Sequence, residues 1–510
     1  MTSASLVFHD TGFAYETATR PLLADLALGL GPGWTGVVGA NGSGKTTLLR
    51  LAVGQLEPTA GAIETPGDAR YCPQRTDDLP AELADLLQSP DPTACRLAGR
   101  LELGDDWTAR WETLSHGERK RAQIAVALWR APEVLAIDEP TNHLDRAGRE
   151  VLAAALGSFR GIGLLVSHDR ELLDQLCHQC LFVEPPRVRL FAGGYTQARL
   201  QAEQEDDHAR RRYEQAGAER KRLEREAARR REAAYRADRK RSKRGIAKRD
   251  HDAKAKIDQA RVTGKDAVAG KLLRQIDGRL EQAREAHARA RIGKAHATGI
   301  WLPGSQARQR YVLHLPAGAL ALGEGAQLRF PSLAVARDDR IALTGPNGSG
   351  KSTLVRHILE TLELPEERFA YVPQEIDLAA TAEILDDARR LPKDALGHAL
   401  TVVSRLNSRP ERLLESREPS PGEVRKLLLA TKIAREPYLI VMDEPTNHMD
   451  LPSIEALEAA LDDCPCALLL VSHDERFLQS LTRLRWAIAP DDATPPDGAA
   501  SRDFRLHEAR

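Results

Sequence analysis

GANGSGKTT at residues 39–47 and GPNGSGKST at 345–353 set glycines ahead of a lysine and a hydroxyl residue. This is the G-x-x-x-x-G-K-[ST] spacing of a phosphate-binding loop. Glycine lets backbone N–H groups and a helix N-terminus close around an anion. Gly39, Asn41, Gly42, Ser43 and Gly44 form the first loop, and Gly345, Asn347, Gly348, Ser349 and Gly350 the second. Lys45 and Lys351 are placed to neutralise terminal phosphates. Thr46 and Ser352, followed by Thr47 and Thr353, offer hydroxyls to a magnesium ion that bridges phosphate oxygens.

Two further pairs complete the chemistry. LAID and IVMD read as strands apolar on both faces, each ending in a carboxylate, as central strands of a parallel sheet do at their site-bearing ends. Asp138 and Asp443 therefore belong beside the metal. The next residues, Glu139 and Glu444, are suited to take a proton from a water attacking the terminal phosphate. His168 and His473 follow those glutamates by the same 29 residues, each after another apolar strand. The repeated step favours contact with the terminal phosphate or with the attacking water.

The elements that must hold these residues occur twice. Lys351 follows Lys45 by 306 residues, and Gln374 of YVPQ follows Gln74 of YCPQ by 300. LSHGE (114–118) returns as PSPGE (419–423), EVLAIDEPTNHLD as YLIVMDEPTNHMD, and GLLVSHDR as LLLVSHDE, each 305 residues on. Such an internal repeat predicts two copies of one α/β unit.

Between the copies the composition changes. Residues 201–300 hold 29 Lys and Arg against 17 Asp and Glu, in a chain of 510 residues whose net charge is only -1. Arg, Glu, Lys and Ala dominate 200–245 and again 268–292, with Gly245 and Gly264 at the break, so two helices joined by a turn are expected. A helix of about 40 residues spans about 60 Å. RSKRGIAKRD (241–250), with five cations in ten residues, then falls near the tip. Without an aromatic stripe it suits backbone phosphates, read by charge and shape. The alternative use of such a run is a solvated helix face.

Composition excludes other classes. At 42% hydrophobic and 29% charged the chain can build roughly two to four globular cores. It has no apolar run of about 18 residues, and MTSASLVFHD lacks the form of a secretion signal, so a cytoplasmic protein is expected. CHQC (177–180) has no second pair at metal-site spacing, which leaves buried or incidental thiols. DDATPPDGAASRDFRLHEAR at the C-terminus reads as a disordered tail, 491–510.

The phosphate loop, Pro-Gln loop, S-x-G-E, Asp-Glu pair, D-loop and switch histidine, in this order, resemble an ATP-binding cassette ATPase over about 1–200 and 301–490. Two cassettes, EPTNH-(L/M)-D in both, no membrane span, a charged linker and FAGGYTQAR (191–199) together resemble the ABC-F group. The resemblance implies an α/β fold of two P-loop NTPase cassette domains, 1–200 and 301–490, joined by a charged helical hairpin linker at 201–300. ATP and Mg2+ are the implied cofactors. Gln74 and Gln374 join Thr46, Asp138, Ser352 and Asp443 around the metal. Cassettes of this superfamily face head to tail, which would join the Lys45 site to Ser420 and Gly422, and the Lys351 site to Ser115 and Gly117.

ATP hydrolysis is the implied activity and the ribosome the implied partner, with ribosomal RNA and transfer RNA met by the linker around Lys240 to Arg249. No obligate homo-oligomer is implied. Only 41 residues separate Gln74 from Ser115 and 46 separate Gln374 from Ser420, leaving no room for the arm that some members insert. The energy subunit of a membrane transporter is the alternative reading. A DNA-maintenance ATPase would carry its coiled coil inside one cassette. Two departures predict unequal sites. Tyr15 is placed to stack on adenine, whereas 312–329 has no aromatic residue, and Pro421 in the second signature removes a backbone donor. The Lys45 site should be the slower.

Overall fold

A computed structural model describes residues 5–16, 19–142, 144–240, 265–289, 305–323, 326–406, 408, 421–447, 449–491 and 503–509. The chain divides into two compact units, Met1–Ala198 with His296–Arg510, and Arg199–Ala295.

The larger unit holds both cassettes. In the first, Ala69–Cys72, Val134–Asp138, Ile162–Val166, Gly33–Val38 and Cys177–Glu184 lie side by side in parallel. Arg187–Ala192 closes the sheet antiparallel to the last of them. VLAID and IGLLV are buried at every position, which is why these strands carry no polar alternation before their final carboxylate. An antiparallel sheet of Leu23–Leu30, Leu6–Phe13 and Ala60–Glu64 packs its apolar side chains into the same core as the phosphate-loop helix, Leu6, Phe8 and Leu23 meeting Leu48 and Leu51.

In the second cassette Phe369–Val372, Leu439–Asp443, Ala467–Val471, Arg340–Thr344 and Leu484–Pro490 repeat the parallel order. The next strand of the sheet, the last in the chain, corrects the sequence reading. Phe504–Ala509, expected within a disordered tail, pairs antiparallel with Leu484–Pro490 along its whole length and parallel with Ala326–Phe330. It occupies the place that Arg187–Ala192 holds in the first copy. Phe504 and Leu506 are buried in the core. Two apolar residues at alternate positions after a Pro-, Asp- and Ala-rich stretch are a weak strand signal, and the neighbouring strands supply what the local sequence lacks.

The smaller unit is helical. Tyr195–Lys240 and Lys265–Arg289 meet through Leu223, Ala227, Ile276 and Leu280. Arg231 reaches Asp277 at 2.5 Å, Arg284 lies 3.8 Å from Glu224, and Tyr213 lies against His287. Early residues of one helix meet late residues of the other, so the pair is antiparallel. Residues 241–250, expected near its tip, lie outside the described residues. No helix among the described residues is long and apolar enough to cross a membrane. The six cysteines are free thiols, five of them buried.

Candidate nucleotide sites

The two phosphate loops are built alike. Gly44 (φ 97°) and Gly350 (φ 92°) are left-handed caps of the helices Lys45–Ala52 and Lys351–Thr361. A Cβ on Gly44 would come within 2.8 Å of the Leu22 side chain, so both conformation and space demand glycine. Each lysine turns its amine back over its own loop. Lys45 Nζ donates to the carbonyls of Gly39 (2.9 Å) and Ala40 (3.1 Å), and Lys351 Nζ to those of Gly345 and Pro346, both 2.9 Å. Burial lowers both lysine pKa values, opposed by the nearby carboxylates, first among them Glu139 and Glu444. Ser43 and Ser349 keep buried hydroxyls with no hydrogen-bond partner among the described residues. Such polar atoms fit a loop that closes on a polyanion.

At the end of each central strand a hydroxyl meets a carboxylate. Thr46 donates to Asp138 Oδ2 at 2.7 Å, and Ser352 to Asp443 Oδ2 at 2.8 Å. Tyr71 adds a bond to Asp138 at 3.0 Å. Burial pushes both aspartates upward in pKa. Hard oxygen donors beside a phosphate loop fit magnesium. Among the described residues no group of three or more His, Cys, Asp or Glu is placed to hold a metal, so the oxygen donors here are one carboxylate and one hydroxyl per site.

Glu139 (φ 47°) and Glu444 (φ 48°) stand in the left-handed region, which costs a non-glycine residue about 1–3 kcal/mol. The flanking strands hold them there, since Glu139 N–H donates to Val166 O and Glu444 N–H to Val471 O. Each carboxylate accepts from the backbone N–H of its histidine at 3.3 Å. The side chains differ. His168 Nε2 lies 3.0 Å from Glu139 Oε1. His473 Nε2 lies 3.5 Å from Glu444 Oε1 and 3.1 Å from Asn347 Oδ1.

Protonation follows that difference. Burial raises the Glu139 pKa, but His168 and Lys45 together outweigh it and hold the group below the usual carboxylate range. Burial keeps Glu444 above that range. Burial, Lys351 and Arg149 lower His473 to about 4.

The cassettes complete each other unequally. The cavity around Lys45, about 650 Å³, is lined by Tyr15, Gln74, Asp138, Glu139 and His168, and by Gly422 of the second cassette. Ser420 lies outside the described residues. Asn41 N–H donates to Asp450 Oδ2 of the opposite cassette at 2.6 Å. The cavity around Lys351, about 420 Å³, is lined by Gln374, Asp443, Glu444 and His473, and by Leu144 and Arg149 of the first cassette. Ser115 and Gly117 are not among its lining residues. Ser115 instead closes a capping box with Glu118.

Tyr15 keeps its ring half-exposed and its hydroxyl 2.9 Å from Thr47 Oγ1, while Leu322 lines the second cavity. Sequence reasoning did not single out Asp450, Leu144 or Arg149. The signal for Asp450 and Leu144 was the D-loop repeated in both copies, TNHLD and TNHMD.

Two phosphate loops, two strand-end Asp-Glu pairs and residues of each cassette in the other's cavity define a tandem ATP-binding cassette protein. The family described as ABC transporter matches residues 23–142 and again 328–447. The ribosome protection protein VmlR of Bacillus subtilis (strain 168) is 30% identical over 474 residues, covering 89% of this chain and 81% of its own. The tylosin resistance ATP-binding protein TlrC of Streptomyces fradiae is 30% identical over 554 residues, with 94% and 96% covered. The chain belongs to the ABC-F family of ATP-binding cassette proteins. A solved structure titled RNase-L Inhibitor has the same fold, with TM-score 0.60 at 18% identity and coverage of 98% and 90%.

Proposed function

We propose that this chain hydrolyses ATP at both sites and uses the resulting opening and closing of its cassettes to act on the ribosome, easing stalled translation or protecting against an antibiotic. The observation that carries the reading is mutual completion, with Gly422 in the Lys45 cavity and Arg149 in the Lys351 cavity. ATP held by both sides of such a cavity favours closure, and its loss releases it.

In this reading Glu139 and Glu444 take the proton of the attacking water, His168 and His473 hold the terminal phosphate or that water, and the lysines neutralise phosphate charge. Thr46, Asp138 and Gln74, with Ser352, Asp443 and Gln374, would hold Mg2+. The metal supplies charge neutralisation across phosphate oxygens. Ser420 and Gly422 serve the first site, and Ser115 and Gly117 approach the second on closure. The partner follows from the ribosome protection relative and from the basic linker, whose segment Lys240 to Arg249 meets RNA phosphates. The place of action is the cytoplasm, and no obligate homo-oligomer is needed.

Sedimentation with purified ribosomes tests the proposal. Protein carrying Glu139→Gln and Glu444→Gln should pellet with ribosomes in ATP and stay in the supernatant without nucleotide. Equal pelleting in both conditions would reject ATP-driven closure as the device.

A further inference from the structure

Arg149 belongs to the helix Arg146–Leu156 that follows the first D-loop, yet it lines the cavity of the other cassette. Its guanidinium is held at three points. Nε donates to Leu144 O of its own D-loop at 3.2 Å. Nη1 donates to Asp169 Oδ2 at 3.3 Å and to the main-chain carbonyl of His473 at 3.3 Å. Asp169 directly follows His168, so one guanidinium touches the loops of both switch histidines. The side chain is largely buried, 21% exposed.

The arrangement runs one way only. The position 305 residues on is Ile454, which is buried and carries no charge to offer the His168 loop.

We propose that Arg149 is a positioning residue of the Lys351 site, delivered from the first cassette, which fixes the His473 loop and ties it to the His168 loop. The inference rests on the reading of these cavities as ATP sites and adds a residue outside every repeated motif. Physically, the bond to His473 O anchors the loop whose N–H meets Glu444 at 3.3 Å and whose ring meets Asn347 at 3.1 Å. Freed from that anchor, the loop shifts relative to Glu444, and small misplacements of groups around reacting atoms cost rate steeply. The cation also lies across the cassette boundary, so movement of the first cassette is felt at the second site without any change in the latter's own residues.

The test uses the full chain with one site silenced. In the Glu139→Gln background, where turnover comes from the Lys351 site, Arg149→Gln should lower kcat about tenfold with KM changed less than about threefold. Arg149→Lys, which keeps a cation able to donate to His473 O but loses the guanidinium fork, should recover part of the lost rate. In the Glu444→Gln background, which reports on the Lys45 site, Arg149→Gln should lower kcat no more than about threefold. Three results overturn the proposal: kcat unchanged in the first background, Lys no better than Gln, or equal loss at both sites, the mark of general structural damage. Absence of hydrolysis in the parent chain would overturn the ATPase reading itself, an outcome separate from all three.

Discussion

Arg170 of the first cassette and Glu458 of the second form a two-pronged ion pair, Nη1 to Oε2 at 2.8 Å and Nη2 to Oε1 at 2.5 Å, with Asp474 3.5 Å away. Arg170 is buried. The positions 305 residues away are Glu475 and Ala153, so the repeat does not produce this pair twice. It forms from groups that neither phosphate loop contains, and it holds the cassettes together at a point separate from the phosphate-binding groups. Removing Arg170 leaves the Glu458 carboxylate charged and largely, though not fully, shielded from water, its side chain 17% exposed. Arg170→Met should cost about 3–5 kcal/mol, and Arg170→Met with Glu458→Leu should recover most of it. Denaturant titration of the two variants checks this, and additive losses would show that the pair is not coupled.

A second expectation concerns the strand-end glutamates. Glu139→Gln with Glu444→Gln keeps shape and removes the base, so steady-state hydrolysis should fall at least about a hundredfold while ATP affinity stays within about threefold. Phosphate release and equilibrium nucleotide binding measure the two halves. Hydrolysis at the parent rate would remove both glutamates from the role of base.

Much of this candidate site was legible because its residues lie in short, contiguous motifs. The phosphate loops, Asp138 with Glu139, Asp443 with Glu444, and the histidines 29 residues on follow from local spacing, since each sits at the end of a strand or the start of a helix. Arg149 and Arg170 are different. Their partners, His473 O and Glu458, lie about 300 residues away on a surface between two folded bodies, and nothing in a periodic pattern reports such a meeting. The strand Phe504–Ala509 escaped notice for a related reason. Its pairing with Leu484–Pro490 is a property of the neighbour's exposed edge rather than of FRLHEA itself.

The two glutamates should respond oppositely to pH in nucleotide-free protein. Glu139 has a folded-state pKa below its ordinary value, so its ionised form stabilises the fold above the unfolded pKa, and that contribution is lost as pH falls through the folded one. Glu444 has its pKa raised by burial. Its protonated form stabilises at low pH, and the contribution disappears as pH rises through the folded pKa. At pH 8 Glu444→Gln should therefore raise Tm, and at pH 6, where the cations around Glu139 are charged, Glu139→Gln should lower it, with both differences shrinking toward pH 4. Melting curves at several pH values decide, and the same sign for both variants would contradict the assigned environments.

For the linker, Lys240 ends the first long helix, while Arg241, Lys243, Arg244, Lys248 and Arg249 lie outside the described residues. Changing all six to Gln should weaken ribosome binding and flatten its dependence on salt, because fewer counterions leave the RNA. On a duplex each lost phosphate contact removes about 0.9 from the slope. ATP binding should persist. Affinities measured between low and moderate salt provide the slope, and an unchanged slope would return the segment to a solvated helix face.

The last expectation is that the Lys45 site turns over more slowly than the Lys351 site because of Pro421. The helix Pro421–Ile433 begins at this proline, whereas its counterpart begins at His116, so the first helical N–H is present in one signature and missing in the other. Gly422, the next residue, lines the Lys45 cavity, which puts the missing donor one residue from the site. A preorganised donor aimed at developing charge contributes about 2.7–4 kcal/mol, and much less when aimed elsewhere. Pro421→His restores the N–H and copies the first signature. Measured in the Glu444→Gln background at saturating ATP, it should speed the Lys45 site several-fold. His116→Pro in the Glu139→Gln background should slow the Lys351 site by a similar factor, provided closure brings Ser115 and Gly117 onto that cavity. Saturation removes any weakness of ATP binding caused by the second cavity having no Phe, Tyr or Trp among its described lining residues, where the first has Tyr15. If Pro421→His leaves the rate unchanged, the inequality has another origin, and the unequal pairing of His168 with Glu139 at 3.0 Å and His473 with Glu444 at 3.5 Å becomes the difference to vary next.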